Sequence, residues 1–337
     1  MSSARVELSH GGGGRAMQQL IAEVFAPAFA HAGAKQGNDQ AEFLLGAGRY
    51  AFSTDSFVIS PLFFAGGDIG SLAVHGTVND LAMGGALPLY LSAGFVIEEG
   101  FPLEGLKRIA TSMGHAAREA GVAIVTGDTK VVERGKGDGV FINTAGIGRV
   151  PDGVDLSGDR ARPGDAILLS GSIGDHGVAI MASRSGLGFD TSIESDSAAL
   201  HTLVADMLAA APNALRLLRD PTRGGLAATL NEIAAQSRVG MRLEESAIPV
   251  RPQVRGACEL LGLDPLNVAN EGKLIAVCDP DATEAVLAAM RAHPLGREAA
   301  RIGFVTDDPQ RFVEMRTIFG GRRMVDWLHG EQLPRIC

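Results

Sequence analysis

Val78–Asn79–Asp80–Leu81–Ala82–Met83–Gly84–Gly85 is the stretch on which the fold of this chain turns. A carboxylate stands in an apolar run that ends in paired glycines, where backbone N–H groups can come close to a phosphate. Four more aspartates occupy glycine-rich or strand-end positions: Asp55 in STDS (Ser53–Ser56), Asp68 in GGDIG, Asp128 in GDTK and Asp220 in DPTRGG. Taken singly, each reads as a turn former or helix cap. Five together, in an acidic chain short of catalytic histidines, point to a magnesium–phosphate site. Mg2+ takes one or two carboxylates and keeps substrate phosphates as further ligands. The standard nucleotide signatures, G-x-x-x-x-G-K-[ST] and G-x-G-x-x-G after a strand, are absent.

Working outward, residues 50–150 alternate strand-like and helix-like patterns. Tyr50–Ser60 reads as a strand interrupted by a polar turn, and Leu89–Ile97 as a second strand. Pro102–Ala120 carries Leu103, Leu106, Ile109, Met113 and Ala117 at helical spacing, with Gly121 as a stop. Val122–Val125 and Val140–Ile147 read as strands. The polar stretch Pro151–Gly164 marks a domain boundary. Beyond it, Ala166–Leu169, Met241–Leu243, Lys273–Val277, Ala300–Val305 and Phe312–Met315 read as strands, between helices at 177–185, 197–211, 226–236, 254–261 and 283–293. From Gly320 onward no helical or strand periodicity is visible. The expected organisation is therefore an N-terminal domain over 1–155, a C-terminal α/β domain over 156–319 and a mobile tail over 320–337.

The 337 residues suit two domains, and 46% hydrophobic with 20% charged residues excludes whole-chain disorder. The net charge of -9 and the 5% aromatic content argue against a general nucleic-acid binder. No apolar run reaches the roughly 20 residues that span a bilayer. Met1–Gly14 lacks the apolar stretch of a secretory signal, so a soluble cytoplasmic protein is expected. Three cysteines argue against a disulfide framework. Cys258 and Cys278 lie in apolar segments and read as small core residues.

Four further features carry candidate chemistry. The run Gly11–Gly14 after His10 reads either as a disordered start or as a flap that closes over phosphates. Lys130 should sit beside whatever Asp128 binds, or else pair with Glu133. Glu271, in Asn270–Glu271–Gly272 before a buried strand, reads as a turn residue or an acid–base group. Cys337 closes the sequence, where packing gives no reason for a thiol and prenylation would need the cysteine four from the end. The 17 residues after Gly320 reach at most about 56 Å. A thiol on such a tether can visit an internal site and then a separate partner.

STDS, VNDLAMGG, GDTKVV, DPTRGG and NEGK, in that order and with the closing PRIC, resemble the HypE family of hydrogenase maturation proteins. That family lies within the superfamily of aminoimidazole ribonucleotide synthetase, selenophosphate synthetase and thiamine-monophosphate kinase. The resemblance runs from His10 to Cys337. The aspartate motifs belong to the whole superfamily, whereas PRIC with GDTK and NEG is specific to the family. It implies a two-domain α/β (α+β) fold in which two N-terminal sheets pair into a barrel across a homodimer, with ATP between the domains. It implies that a carbamoyltransferase, HypF, loads Cys337, that ATP drives dehydration of the thiocarboxamide to a thiocyanate, and that a HypC–HypD complex receives the cyano group. By the same resemblance, Asp55, Asp80 and Asp220 hold Mg2+ on ATP, with Asp68 and Asp128 as further candidates. His10, Gly11, Gly12, Gly127, Asp128 and Thr129 line the nucleotide. Lys130 stabilises the transferring phosphoryl group or orients the carbamoyl group, and Glu271 is the base or relay. Pro334 and Ile336 would plug a narrow tunnel around the thiol. Two other readings stand beside this one: another enzyme of the superfamily, and a non-catalytic thiol carrier. Ser9–Gly14 lacks the reactive cysteine expected of a selenophosphate synthetase.

Overall fold

In the STDS stretch, side chains 53, 55 and 57 turn one way and 52, 54 and 56 the other, so it is strand rather than turn. The computed structural model describes residues 5–12, 15–30, 44–185, 193–327 and 335–337. In chain order, the N-terminal domain contains β1 (Arg49–Phe57), α1 (Ile69–Met83), β2 (Leu87–Glu98), α2 (Leu103–Glu119), β3 (Ala123–Val132) and β4 (Val140–Val150). The break expected at Ser53–Ser56 does not occur: β1 pairs without interruption against β4, Asp55 opposite Thr144. Cross-strand pairing and burial of Phe57 override the weak strand preference of Ser and Asp.

The sheet order is β1-β4-β2-β3, with β2 and β3 parallel and joined through α2, as a parallel crossover requires. One face packs on α1 and α2 through Leu91, Phe95, Ile97, Ile142 and Ile109. The other face is open, with Phe52 73% and Val96 39% exposed. The stretch Val78–Met83, read only as a phosphate-approach motif, forms the end of α1. Its helical periodicity is hidden because the helix is apolar on nearly every side and buried throughout. Asp68 caps that helix: its Oδ1 accepts from Gly70 N at 2.8 Å and Ser71 N at 3.1 Å, and Ser71 Oγ accepts from Asp68 N.

The C-terminal domain contains β5 (Ala166–Leu169), α3 (Asp175–Ser185), α4 (His201–Ala210), β6 (Leu215–Arg219), α5 (Gly225–Ser237), β7 (Gly240–Glu244), α6 (Pro252–Leu261), β8 (Ile275–Cys278), α7 (Thr283–Ala292), β9 (Ala300–Thr306), β10 (Val313–Arg316) and β11 (Arg322–Met324). Its sheet order is β11-β10-β7-β9-β5-β8-β6. The strand β11 lies where no periodicity was legible, because three exposed residues leave no apolar trace. Ala166–Leu169 and Ile275–Cys278 are buried at every position, since layers cover both faces. Ile167, Leu169, Ile275 and Val277 pack on one side, and Ala166, Leu168, Ala276 and Cys278 on the other. Cys258 and Cys278 are buried thiols. Among the described residues, no helix is long and apolar enough to cross a membrane.

The two domains share packing. Ala82 and Met83 of α1 join Leu200, Leu203 and Met207 of the C-terminal domain, while Ile180, Ala269 and Ile336 join the N-terminal core. Two of the catalytic candidates, Glu271 and Cys337, lie along this seam.

Candidate active site

Asp55, Asp80 and Asp220 come from three elements and share one seam. Gly76 makes the first approach possible. A Cβ there would lie 2.8 Å from the Phe57 ring, and the Asp55 carboxylate stands just beyond, at 3.5 Å. Asp80, one turn further along α1, accepts from Ser53 Oγ at 2.6 Å. Asp220 follows the end of β6. Burial, followed by the charges of Asp80 and then Asp55, pushes the Asp220 carboxyl up to about 7. Burial likewise raises Asp55 and Asp80, and Asp55 adds to the rise at Asp80. Three acidic groups that disfavour one another's ionisation are a set that could hold a cation. Among the described residues, no three His, Cys, Asp or Glu side chains stand close enough to cage a metal unaided. Of the common cations, Mg2+ is one that such carboxylates could hold, because it takes one or two carboxylates and fills its remaining positions with water and phosphate oxygens.

Each residue of the Asn270–Lys273 segment has its own task. Asn270 accepts from Gly174 N at 2.7 Å and donates to Pro221 O at 2.9 Å and Val268 O at 3.0 Å, tying the segment to the DPTRGG turn. Lys273 Nζ lies 3.0 Å from Asp196 Oδ2. Gly272 is required by a close approach, because a Cβ there would stand 1.8 Å from the Asp196 carbonyl oxygen. Glu271 donates its N–H to Asp196 Oδ1 at 3.0 Å, while its own Oε1 is buried with no hydrogen-bond partner. Burial, then the charges of Asp220, Asp196 and Asp55, hold its carboxyl well above the ordinary range.

Residues 335–337 dock into the same seam. Val58 N–H donates to Cys337 O at 3.1 Å and Ser60 N–H to Arg335 O at 3.3 Å. Arg335 donates from Nε to Val58 O at 2.8 Å and forms an ion pair with Asp138. Ile336 is buried, and Cys337 packs against the N-terminal core. The Cys337 thiol is pushed up to about 12, by burial first and then by the carboxylates of Glu271 and Asp55, against the pull of Arg223. The cysteine thus stands within the field of the same acidic groups. Pro334, read as a plug, lies outside the described residues, as do Gly13 and Gly14 of the glycine run.

Other expected site residues stand apart. Asp68, at the opposite end of α1 from Asp80 and about 18 Å along its axis, is engaged as a cap. Asp128, opposite Gly94, lies in the cross-strand row that continues through Asn143 to Ser56. Asp128 and Lys130 are therefore on the open face of the sheet, three strand spacings (about 14 Å) from β1. Their side chains pair with each other at 2.7 Å, both exposed, rather than Lys130 with Glu133. Lys130 holds the Asp128 carboxyl below its ordinary range. Leu8–Gly11 packs beside β3, with Gly11 against the backbone of Val131, one residue beyond Lys130. Several residues at the seam were not among the sequence candidates. Asn79 donates to Ala198 O at 3.0 Å and Glu271 O at 3.3 Å and accepts from Leu200 N at 2.8 Å. Arg223, Asp196 and His176 likewise stand out only once the chain is folded.

Comparison with known proteins gives the family of the chain. Residues 37–150 match the family model for the N-terminal domain of AIR synthase related proteins, and residues 162–316 match the model for the C-terminal domain. The carbamoyl dehydratase HypE of Rhizobium leguminosarum bv. viciae is 67% identical over all of this chain and 96% of its own length. The chain belongs to the HypE family. A crystal structure of a HypE protein in complex with ATP superposes with a TM-score of 0.94 at 52% identity, covering 98% of this chain and 99% of the other. The HypE structure from a HypE–HypF complex superposes with a TM-score of 0.81 at 50% identity, covering 92% and 99%. Membership in the family accounts for the α/β architecture with its N- and C-terminal domains.

Proposed function

We propose that this chain is an ATP-dependent carbamoyl dehydratase that carries its substrate on Cys337, in the cytoplasm, as a homodimer. One observation carries the reading: the terminal cysteine rests in the seam that gathers Asp55, Asp80, Asp220 and Glu271. The carrier and the nucleotide carboxylates then serve one reaction. The names of the curated relatives, and the ATP and HypF found with solved family members, support it.

In the proposed reaction, an S-carbamoyl group on Cys337 and ATP give an S-cyano group, ADP and phosphate. The amide oxygen leaves with the phosphate, one N–H proton ends on that phosphate and the other is released. The amide oxygen is a poor leaving group, and phosphorylation makes elimination feasible. Asp55, Asp80 and Asp220 would hold Mg2+, which neutralises phosphate charge and polarises the transferring group. Glu271 takes a proton from nitrogen. A carboxyl held well above its usual range binds a proton avidly once ionised, as a base acting on a weakly acidic N–H needs to. The docked end of the chain and buried Ile336 limit the entry of water, which would hydrolyse the activated intermediate.

A thiol pushed up to about 12 is a poor nucleophile. Loading by HypF thus happens with the end of the chain undocked, and docking follows once the sulfur is capped. The cyano group then leaves for the HypC–HypD complex as a cyanide ligand for the hydrogenase iron. The open sheet face with Phe52 and Val96 fits a second copy closing a barrel. Lys130 and Asp128, too far from Asp55 within one chain, would act in the site of the other copy, beside the His10–Gly12 turn. The deciding experiment measures ADP release from chain loaded with a carbamoyl group. Release stoichiometric with loading, abolished by Cys337→Ser, supports the reaction; ATP binding without turnover under any loading favours the thiol carrier.

A further inference from the structure

The carbonyls of three consecutive terminal residues each meet a donor. Those of Arg335 and Cys337 take the N–H groups of Ser60 and Val58, and the guanidinium of Arg184 also reaches Arg335 O. The Ile336 carbonyl lies 2.8 Å from His176 Nε2. His176 is fully buried, and Phe64 meets it edge-on at a centroid distance of 5.7 Å.

Elementary hydrogen-bond chemistry fixes its tautomer. A carbonyl only accepts, so Nε2 carries the proton. In the neutral ring Nδ1 then accepts from Ser195 Oγ, 2.7 Å away. Ser195 Oγ in turn accepts from Ser197 N at 3.1 Å. Asp196, between these two serines, accepts the Glu271 N–H at 3.0 Å and pairs with Lys273. Ser195 N donates to Ala65 O at 2.8 Å, fixing the segment to the N-terminal domain. A single three-residue segment therefore holds both the imidazole that grips the chain end and the backbone of Glu271.

We propose that His176 is a positioning residue: by gripping the Ile336 carbonyl it sets the Cys337 sulfur in register with Glu271, through the frame Ser195–Ser197. The catalytic part of this inference rests on Cys337 carrying the substrate; the docking part does not.

The test uses the full chain with His176→Ala, His176→Gln and Ser195→Ala, and iodoacetamide as the probe of Cys337, read by peptide mass spectrometry. Losing the buried hydrogen bond should speed Cys337 alkylation in His176→Ala by about tenfold. His176→Gln, whose side-chain amide can still donate to Ile336 O, should stay within about twofold of the parent chain. Ser195→Ala removes one hydroxyl and little volume, and should give an intermediate rate with the melting temperature nearly unchanged. In all three, nucleotide affinity should match the parent. Alkylation at the parental rate in His176→Ala and Ser195→Ala overturns the proposal, as does equal acceleration in His176→Ala and His176→Gln. Faster alkylation in a chain whose parent shows no ATP-driven dehydration would leave the docking role standing and refute the reaction instead.

Discussion

Lowering the pH from about 8 to about 6 should weaken Mg2+–nucleotide binding about tenfold through Asp220 alone. Asp220 holds its proton to about 7, because burial and then the charges of Asp80 and Asp55 disfavour its ionised form. Binding a cation requires the carboxylate, so below that value a proton must first leave. The apparent affinity falls by a factor of 1 + 10^(pKa − pH), which is about 11 at pH 6 and about 1.1 at pH 8. The assay is titration calorimetry in two buffers of different ionisation heat, which counts protons released on binding. Near pH 7 about half a proton should leave from this group. The terminal phosphate of the nucleotide also titrates near neutrality, so Asp220→Asn serves as the reference: its binding should be weaker, with the Asp220 contribution to the slope gone. The same upward shift from 3.8 means that the ligand-free folded chain binds more protons than the unfolded one, so Asp220 lowers stability as pH climbs toward about 7. Identical slopes and proton counts for the parent and Asp220→Asn would refute the reasoning.

Three further outcomes are expected. Glu271→Gln keeps nucleotide affinity within a few-fold and accepts the carbamoyl group, but slows dehydration by at least about a hundredfold, as loss of a general base does; single-turnover product analysis checks this. Gly272→Ala forces a Cβ to 1.8 Å from the Asp196 carbonyl and should cost about 1–3 kcal/mol or more, visible as a lower denaturation midpoint and lost activity together. Phe52→Glu places a charge on the open face of the N-terminal sheet, where Phe52 is 73% exposed, and should shift the mass measured by light scattering from dimer to monomer.

What was legible in the sequence depended on whether a residue announced itself locally. Most strands and helices were visible, because an open-faced sheet alternates and an amphipathic helix such as Leu103–Glu119 repeats every three to four residues. The helix Ile69–Met83 was hidden, since a segment buried on all sides has no polar face to set the period. Ser53–Ser56 looked like a turn because Ser and Asp favour turns in isolation, and only pairing with Val140–Val150 overrides that. The aspartate motifs pointed to one seam for Asp55, Asp80 and Asp220. Asp68 carries the same glycine context, yet Ser71 three residues later makes it a helix cap. Asp128 and Lys130 have the right motif but lie on the other face of the sheet. Asn79 and Arg223 sit inside the VNDLAMGG and DPTRGG motifs, but their roles, like those of His176 and Asp196, were hidden because their partners lie far away in sequence, as with the 160-residue separation of His176 from Ile336.

The most direct test is mass spectrometry of the peptide ending in Cys337, after incubation of the chain with HypF, carbamoyl phosphate, ATP and Mg2+. A carbamoyl group should be gained and one water then lost on that sulfur, the second step requiring Asp220 and Glu271. A carbamoylated peptide that never loses water while ATP is consumed, or full cyanide delivery by a chain ending in serine, would contradict it.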